Sequence, residues 1–229
     1  MTIAMAMKGA SILPPKSFQG ASLTMSAADF GNYSQNKAAF SFWYKATAGT
    51  TSPGTIFNAD GSIVVNFSAL TSTTLGLQAI SYHSSGGAAN QYISAALDIN
   101  STLASWTHFL IHLDPLNSTP TDRIKVWVNG SADTATSADL NQNSQIYIGS
   151  STRTLCGLNS NVKIYQPVFI SGSLPAISQV YAGGKPRDVR GIAGAYSYID
   201  TTGDNITNDY FLSANWTNSS VTLSTDIPS

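Results

Sequence analysis

The 229-residue sequence contains no glutamate, so all 12 of its acidic side chains are aspartates. Charged residues fill only 10% of the chain, well under the roughly 25% of an ordinary soluble domain. Ser, Thr, Asn and Gly stand where charges usually do. Glutamate is depleted in strands and threonine is favoured there, so the bias fits a β protein with long polar loops. One cysteine, Cys156, excludes an intrachain disulfide and a cysteine-based metal site. It reads as a small buried apolar residue. Lys and Arg form no cluster and the net charge is −1. The footprint of a nucleic-acid binder is therefore missing, as is a polybasic membrane segment. No apolar run has the length of a transmembrane helix. The opening M-T-I-A-M-A-M-K lacks a basic region and an apolar run of signal-peptide length, which predicts synthesis in a cytoplasm without export. The sequons at Asn32, Asn66 and Asn215 then read as products of composition.

What is present is alternation. The apolar fraction, 42%, suffices for a sizeable core. Residues 38–46 place Phe40, Phe42 and Tyr44 on one face and Ser41, Trp43 and Lys45 on the other. Residues 107–113 put Thr107, Phe109, Ile111 and Leu113 on the expected core face, and His108, Leu110 and His112 opposite. Residues 124–128 stop at Asn129-Gly130, a strong signal for a tight hairpin turn, because both residue types tolerate positive φ. Further short strands are read at 21–25, 55–58, 62–67, 74–82, 91–97, 145–148 and 162–170, with a last one at 220–223. Pro167 implies an edge or a bulge in its strand. One helix is expected, over 174–181, with Ser173 as N-cap, Pro175 in the first turn and Ala182-Gly183-Gly184 ending it. Short strands at this spacing predict an all-β sandwich rather than a βα repeat. Residues 1–20 read as an extended arm, 21–185 as the sandwich and 186–229 as an irregular extension packing on the sandwich or on a neighbour.

The order of these elements resembles a known family. An aromatic strand, Phe40 to Tyr44, precedes W-T-H at Trp106 to His108. K-V-W-V-N-G at Lys125 to Gly130 follows, then Y-I-G at Tyr147 to Gly149 and V-K-I-Y-x-P-V-F-I from Val162. Together they resemble the concanavalin A-like, laminin G-like jelly roll over roughly residues 20–185. That implies an antiparallel jelly-roll sandwich of two sheets, with one short helix after the last core strand. G-K-P-R-D-V from Gly184 and the tail from Trp216 are similar to the ends of such domains in bacteriophage structural proteins. This second resemblance implies a non-enzymatic virion protein of a tailed phage, made in the host cytoplasm and displayed as a capsid decoration or tail module. Other virion proteins, copies of the same chain and host-surface polysaccharide are the partners it implies. A carbohydrate-binding, lectin-like module is the alternative, and a polysaccharide hydrolase a distant third.

Catalytic chemistry finds little support in the residues. Endo-β-glucanases share the sandwich, and that resemblance would imply paired Glu residues about 5–5.5 Å apart, which a chain without Glu cannot supply. His108 and His112 lie about 13 Å apart on a strand, too far to share one metal ion. A structural, hydrogen-bonded role is expected for both, and the family resemblance makes His108 part of the W-x-H motif. No cofactor is expected. Calcium, the common metal of laminin G-like domains, would take oxygen ligands from Asp60 or Asp114, read as exposed in a loop and at a strand end. Trp43, Trp106, Trp127 and Trp216 are candidates to stack on sugar rings, although Trp106 is expected to be buried. Trp127 shares a face with Lys125 and Asn129 and is the aromatic most expected to be exposed. With Tyr82 and His83 beside the Gly86-Gly87 loop, and Asp60, it forms the candidate glycan contact.

Overall fold

The computed structural model describes residues 17–19, 23–25, 33–35, 37–47, 54–59, 63–81, 90–93, 97–133, 137–139, 146–148, 153–158, 161–189, 192, 195–197, 216–218 and 222–229. They form two large antiparallel sheets. The first runs in the order Ser131–Ala132, Ile124–Val128, Thr107–Leu113, Ala38–Ala46, Val162–Ser171, Ser17–Gln19, Thr222–Ser224. The second runs Ser137–Asp139, Asn90–Ile93, Thr74–Ser81, Ile63–Ala69, Gly54–Ala59, Arg153–Leu158, Leu23–Met25, Trp216–Asn218. The expected sandwich of two antiparallel sheets is the fold observed.

The period-2 pattern explains the layer between the sheets. Phe40, Phe42, Tyr44, Phe109, Ile111 and Leu113 are buried, as their alternation predicts. They meet the second sheet ring to ring: Phe40 on Phe57 at 4.9 Å and Tyr44 on Phe67 at 4.5 Å. Phe109 stands edge-on to Phe67 at 5.5 Å. Each such side chain, removed from water, contributes about 1.5–3 kcal/mol.

Part of the outer face of the first sheet is also buried. Ala39, Leu110, Val168 and Ile170 pack there against Val180, Val189 and Ile192, with Trp127, Leu174, Ile177 and Tyr181 around them. A β-bulge makes this possible. Tyr165 pairs with Trp43 and Val168 with Ser41, so Gln166 and Pro167 together stand opposite one residue. The extra residue reverses the alternation and turns Val168 and Ile170 outward. Of the two positions Pro167 allowed, the bulge is the one taken, in a strand paired on both sides. Gln166 adopts φ 47° and donates from Nε2 to the Arg187 carbonyl at 2.7 Å, tying down the covering segment.

Three sequence expectations need correction. The helix is only Ile177–Val180. Pro175 keeps the residue before it out of the helical region. Gly183 and Gly184, at φ 59° and 80°, do not end the helix; they turn the hairpin of Tyr181–Ala182 with Lys185–Pro186. The arm assigned to residues 1–20 contains Ser17–Gln19, a strand paired with both Val162–Ser171 and Thr222–Ser224. Within the extension assigned to 186–229, Ala195–Ser197, Trp216–Asn218 and Thr222–Ser224 all join the sheets. Short segments like these have little periodicity of their own, because their pairing comes from partners distant in the chain. The side chain of Cys156 lies outside the described residues.

Candidate functional site

Another part of that outer face is polar. Lys45 follows Tyr44, so it points away from the inner core. Lys163 pairs with Lys45 across the strands, and Gln19 pairs with Lys163. Like charges placed directly opposite on neighbouring strands repel. Asp226, from the C-terminal tail, lies between them. Its Oδ2 accepts from Lys45 Nζ at 2.9 Å and from Lys163 Nζ at 2.8 Å. Its Oδ1 accepts from the Trp106 indole N–H at 2.9 Å. Partial burial pushes the Asp226 carboxyl up, but the bonds from Lys163, Lys45 and Trp106 outweigh it and hold it well below the usual carboxylate range. The Ser17 hydroxyl donates to the Asp226 carbonyl at 2.7 Å, which fixes the tail over the sheet.

Beside this cluster is a cleft of about 160 Å³ lined by Gln19, Lys45, Thr47, Ala104, Asn161 and Lys163. Sites that enclose a whole small ligand run about 300–1,000 Å³, so this cleft suits one end group of a larger molecule. Trp106 is half-buried rather than buried as expected; Lys45 Nζ lies 6.0 Å from its ring centroid and Tyr165 meets it edge-on. Across three strands and the residue that leads into a fourth, the surface therefore offers an aromatic ring, two ammonium groups and an amide in a row. None of these residues except Trp106 stood out in the sequence. Lys45, Lys163 and Asp226 are brought together only by strand register and by the return of the tail.

The histidines have the structural role expected of them. Ser41 Oγ lies 2.9 Å from His108 Nε2, both groups buried, beneath Trp43 and Tyr181. Burial pushes the His108 imidazole down to about 3. Its Nδ1 has no hydrogen-bond partner, so no carboxylate orients the ring as a nucleophile's base requires. His112 is half-buried, with Trp127 edge-on at 4.5 Å. Burial leads in pushing it down to about 4; Lys125 adds to this, while a hydrogen bond with the Pro175 backbone and the charge of Asp114 oppose it.

The other sequence candidates are dispersed. Trp127 is half-buried on the rim of the outer apolar layer, next to the covering segment. Trp43 is buried and presents no face to solvent. Asp114 is 8% exposed, not open as expected, and Lys37 Nζ lies 3.1 Å from its Oδ2. Its backbone N–H donates to the Arg123 carbonyl, one step beyond the Leu113–Ile124 pair, which closes the hairpin there. Asp60, Tyr82, His83 and the side chain of Trp216 lie outside the described residues. Among the described residues, no three His, Cys or Asp side chains gather as a metal site. No described helix is long and apolar enough to cross a membrane.

No family model matches the sequence, and no curated protein matches it. Solved structures do match in fold. The native heptameric SAP-like pentraxin from Limulus polyphemus is similar over 91% of this chain and 93% of its own, with TM-score 0.54 and 14% identity. A protein from Bacteroides ovatus described as carbohydrate-binding is similar over 95% of this chain and 62% of its own, with TM-score 0.56 and 13% identity. Identities this low speak for the fold alone, and the fold they share with this chain is the antiparallel jelly-roll sandwich.

Proposed function

We propose that this chain is a non-enzymatic saccharide-binding sandwich module displayed on the particle of a tailed phage. The observation that carries the binding reading is the row of Trp106, Lys45, Lys163 and Gln19 beside the open cleft. Sugar sites combine an aromatic face with a few fixed polar groups, and this row has both. The fold is that of a protein described as carbohydrate-binding, which agrees with the reading. The absence of Glu and the burial of the Ser41–His108 pair argue against hydrolysis. The phage setting rests on the sequence resemblance of residues 184–189 and 216–229. Partners in that setting are other capsid or tail proteins and further copies of this chain.

A glycan array probed with the purified chain, with and without calcium, tests the binding. Reproducible capture of at least one saccharide class is expected, and none on the whole array would remove the reading. Substitutions at Trp127, Tyr82, His83 and Asp60 on the same array test the contacts proposed from the sequence. Mass spectrometry and cryo-EM of purified particles test the setting, since a protein absent from particles is not a virion component. Light scattering of the free chain reads self-association.

A further inference from the structure

We infer that the cleft beside Lys45 and Lys163 is a subsite for the carboxylate of an acidic saccharide, such as a uronic acid unit. This deepens the saccharide-binding reading and rests on it. The strand register forces two ammonium groups side by side, where they repel. One carboxylate, Asp226, serves both through a single oxygen. The cluster of Lys45, Lys163 and Asp226 therefore keeps a net positive charge. Each ammonium group has three N–H donors and directs one of them to Asp226. Both lysines form part of the cleft lining, so the donors left over are available to a group bound there. Their side chains are 31% and 24% exposed, enough to be reached and enough enclosed to strengthen a charged contact.

The surroundings select a sugar rather than a bare anion. Gln19, Thr47 and Asn161 make the rest of the lining polar, with amide and hydroxyl groups rather than further cations. The half-buried indole of Trp106 lies outside the residues that line the cleft but next to Lys45, and offers an aromatic surface to the part of a saccharide that runs out of it. The volume of about 160 Å³ admits one unit, with the rest of the chain running out over the surface. Asp226 acts as a spacer: its bonds of 2.8 and 2.9 Å hold the ammonium groups in place before a ligand arrives.

The experiment is calorimetric titration of the full chain with an oligogalacturonate, a neutral galactan of equal length and poly-glutamate, each at low and moderate salt. The oligogalacturonate is expected to bind at least about tenfold more tightly than the galactan and to weaken as salt rises. Lys45→Gln and Lys163→Gln are expected to lose about tenfold or more. Because both also touch Asp226, Gln19→Ala is run beside them; it leaves those bonds intact and is expected to lose about threefold or more. Equal binding of galactan, insensitive to the lysine changes, overturns the acidic subsite and leaves saccharide binding standing. Binding of neither saccharide overturns the acidic subsite, and saccharide binding falls with it only if the whole glycan array is also blank. Poly-glutamate bound as tightly as the oligogalacturonate overturns the sugar assignment, since charge alone is then being read.

Discussion

His108 and Ser41 meet at 2.9 Å in the outer layer of the first sheet, with the imidazole wholly buried. The burial of this imidazole makes the fold sensitive to acid. Burial pushes His108 down to about 3, while the same side chain in the unfolded chain titrates near 6.5. Below about pH 6.5 the unfolded state therefore takes up the proton first, and stability falls as pH falls until the folded pKa is passed. The slope is about 1.4 kcal/mol per pH unit for one such group. His112, pushed down to about 4, adds to it, discounted because it is partly exposed. Urea midpoints are expected to stay level from pH 7.5 to about 6.5 and to decline from there to pH 4.5. A flat profile would contradict the buried, neutral histidines.

Gly130 leaves room for Tyr181. A Cβ built on Gly130 lies 2.7 Å from Tyr181 Cε1, and the backbone there has φ 83°. Gly130→Ala therefore brings both a strained backbone and a steric clash, each costing on the order of 1–3 kcal/mol. In a domain of this size about 1 kcal/mol moves Tm by roughly 2–4 °C. A drop of several degrees is expected in a thermal melt. An unchanged Tm would mean that Tyr181 does not sit against the turn.

The contrast between Gly130 and Lys163 shows what the sequence can carry. The Asn129-Gly130 turn is legible because its chemistry is local: Asn129 takes φ 49° and its side chain accepts from the His108 backbone N–H at 2.9 Å. The inner faces of Ala38–Ala46 and Thr107–Leu113 are legible because burial on one side writes a period of two. The outer face is not, since Ser41 and Trp43 read only as the face opposite the aromatic core, and the apolar layer around them comes from residues 174–189 and Ile192, far along the chain. The polar site is less legible still. Gln19, Lys45, Lys163 and Asp226 are ordinary surface residues in sequence, separated by long stretches of chain. Their meeting depends on the strand order.

Asp226→Asn tests whether the tail is held by charge. The substitution keeps shape but removes the anion that relieves the Lys45–Lys163 repulsion. Bonds between such partly exposed charges contribute about 0.2–1 kcal/mol each. The tail strand Thr222–Ser224 is expected to exchange its amide protons faster, and the Trp106 emission to shift. Raising the salt should narrow the difference from the parent chain, because screening weakens the repulsion that Asp226 otherwise offsets. A difference that ignores salt would assign the effect to packing instead.

Trp127 separates two readings of one aromatic side chain. In the structure its ring stands edge-on to His112 at 4.5 Å and packs on the layer that holds Leu110 and Val180. As a packing residue, Trp127→Ala costs about 1–3 kcal/mol, below the ~3–5 kcal/mol of a fully buried Phe109→Ala, because the indole is only half-buried. The loss should appear locally, as faster proteolysis or amide exchange in residues 174–189, which rest on it. As a saccharide contact, the same change should instead weaken capture on a glycan array with little effect on Tm. Measuring both quantities on one variant decides between the two, because the packing role predicts a Tm loss of several degrees with binding at Lys45 and Lys163 unaffected.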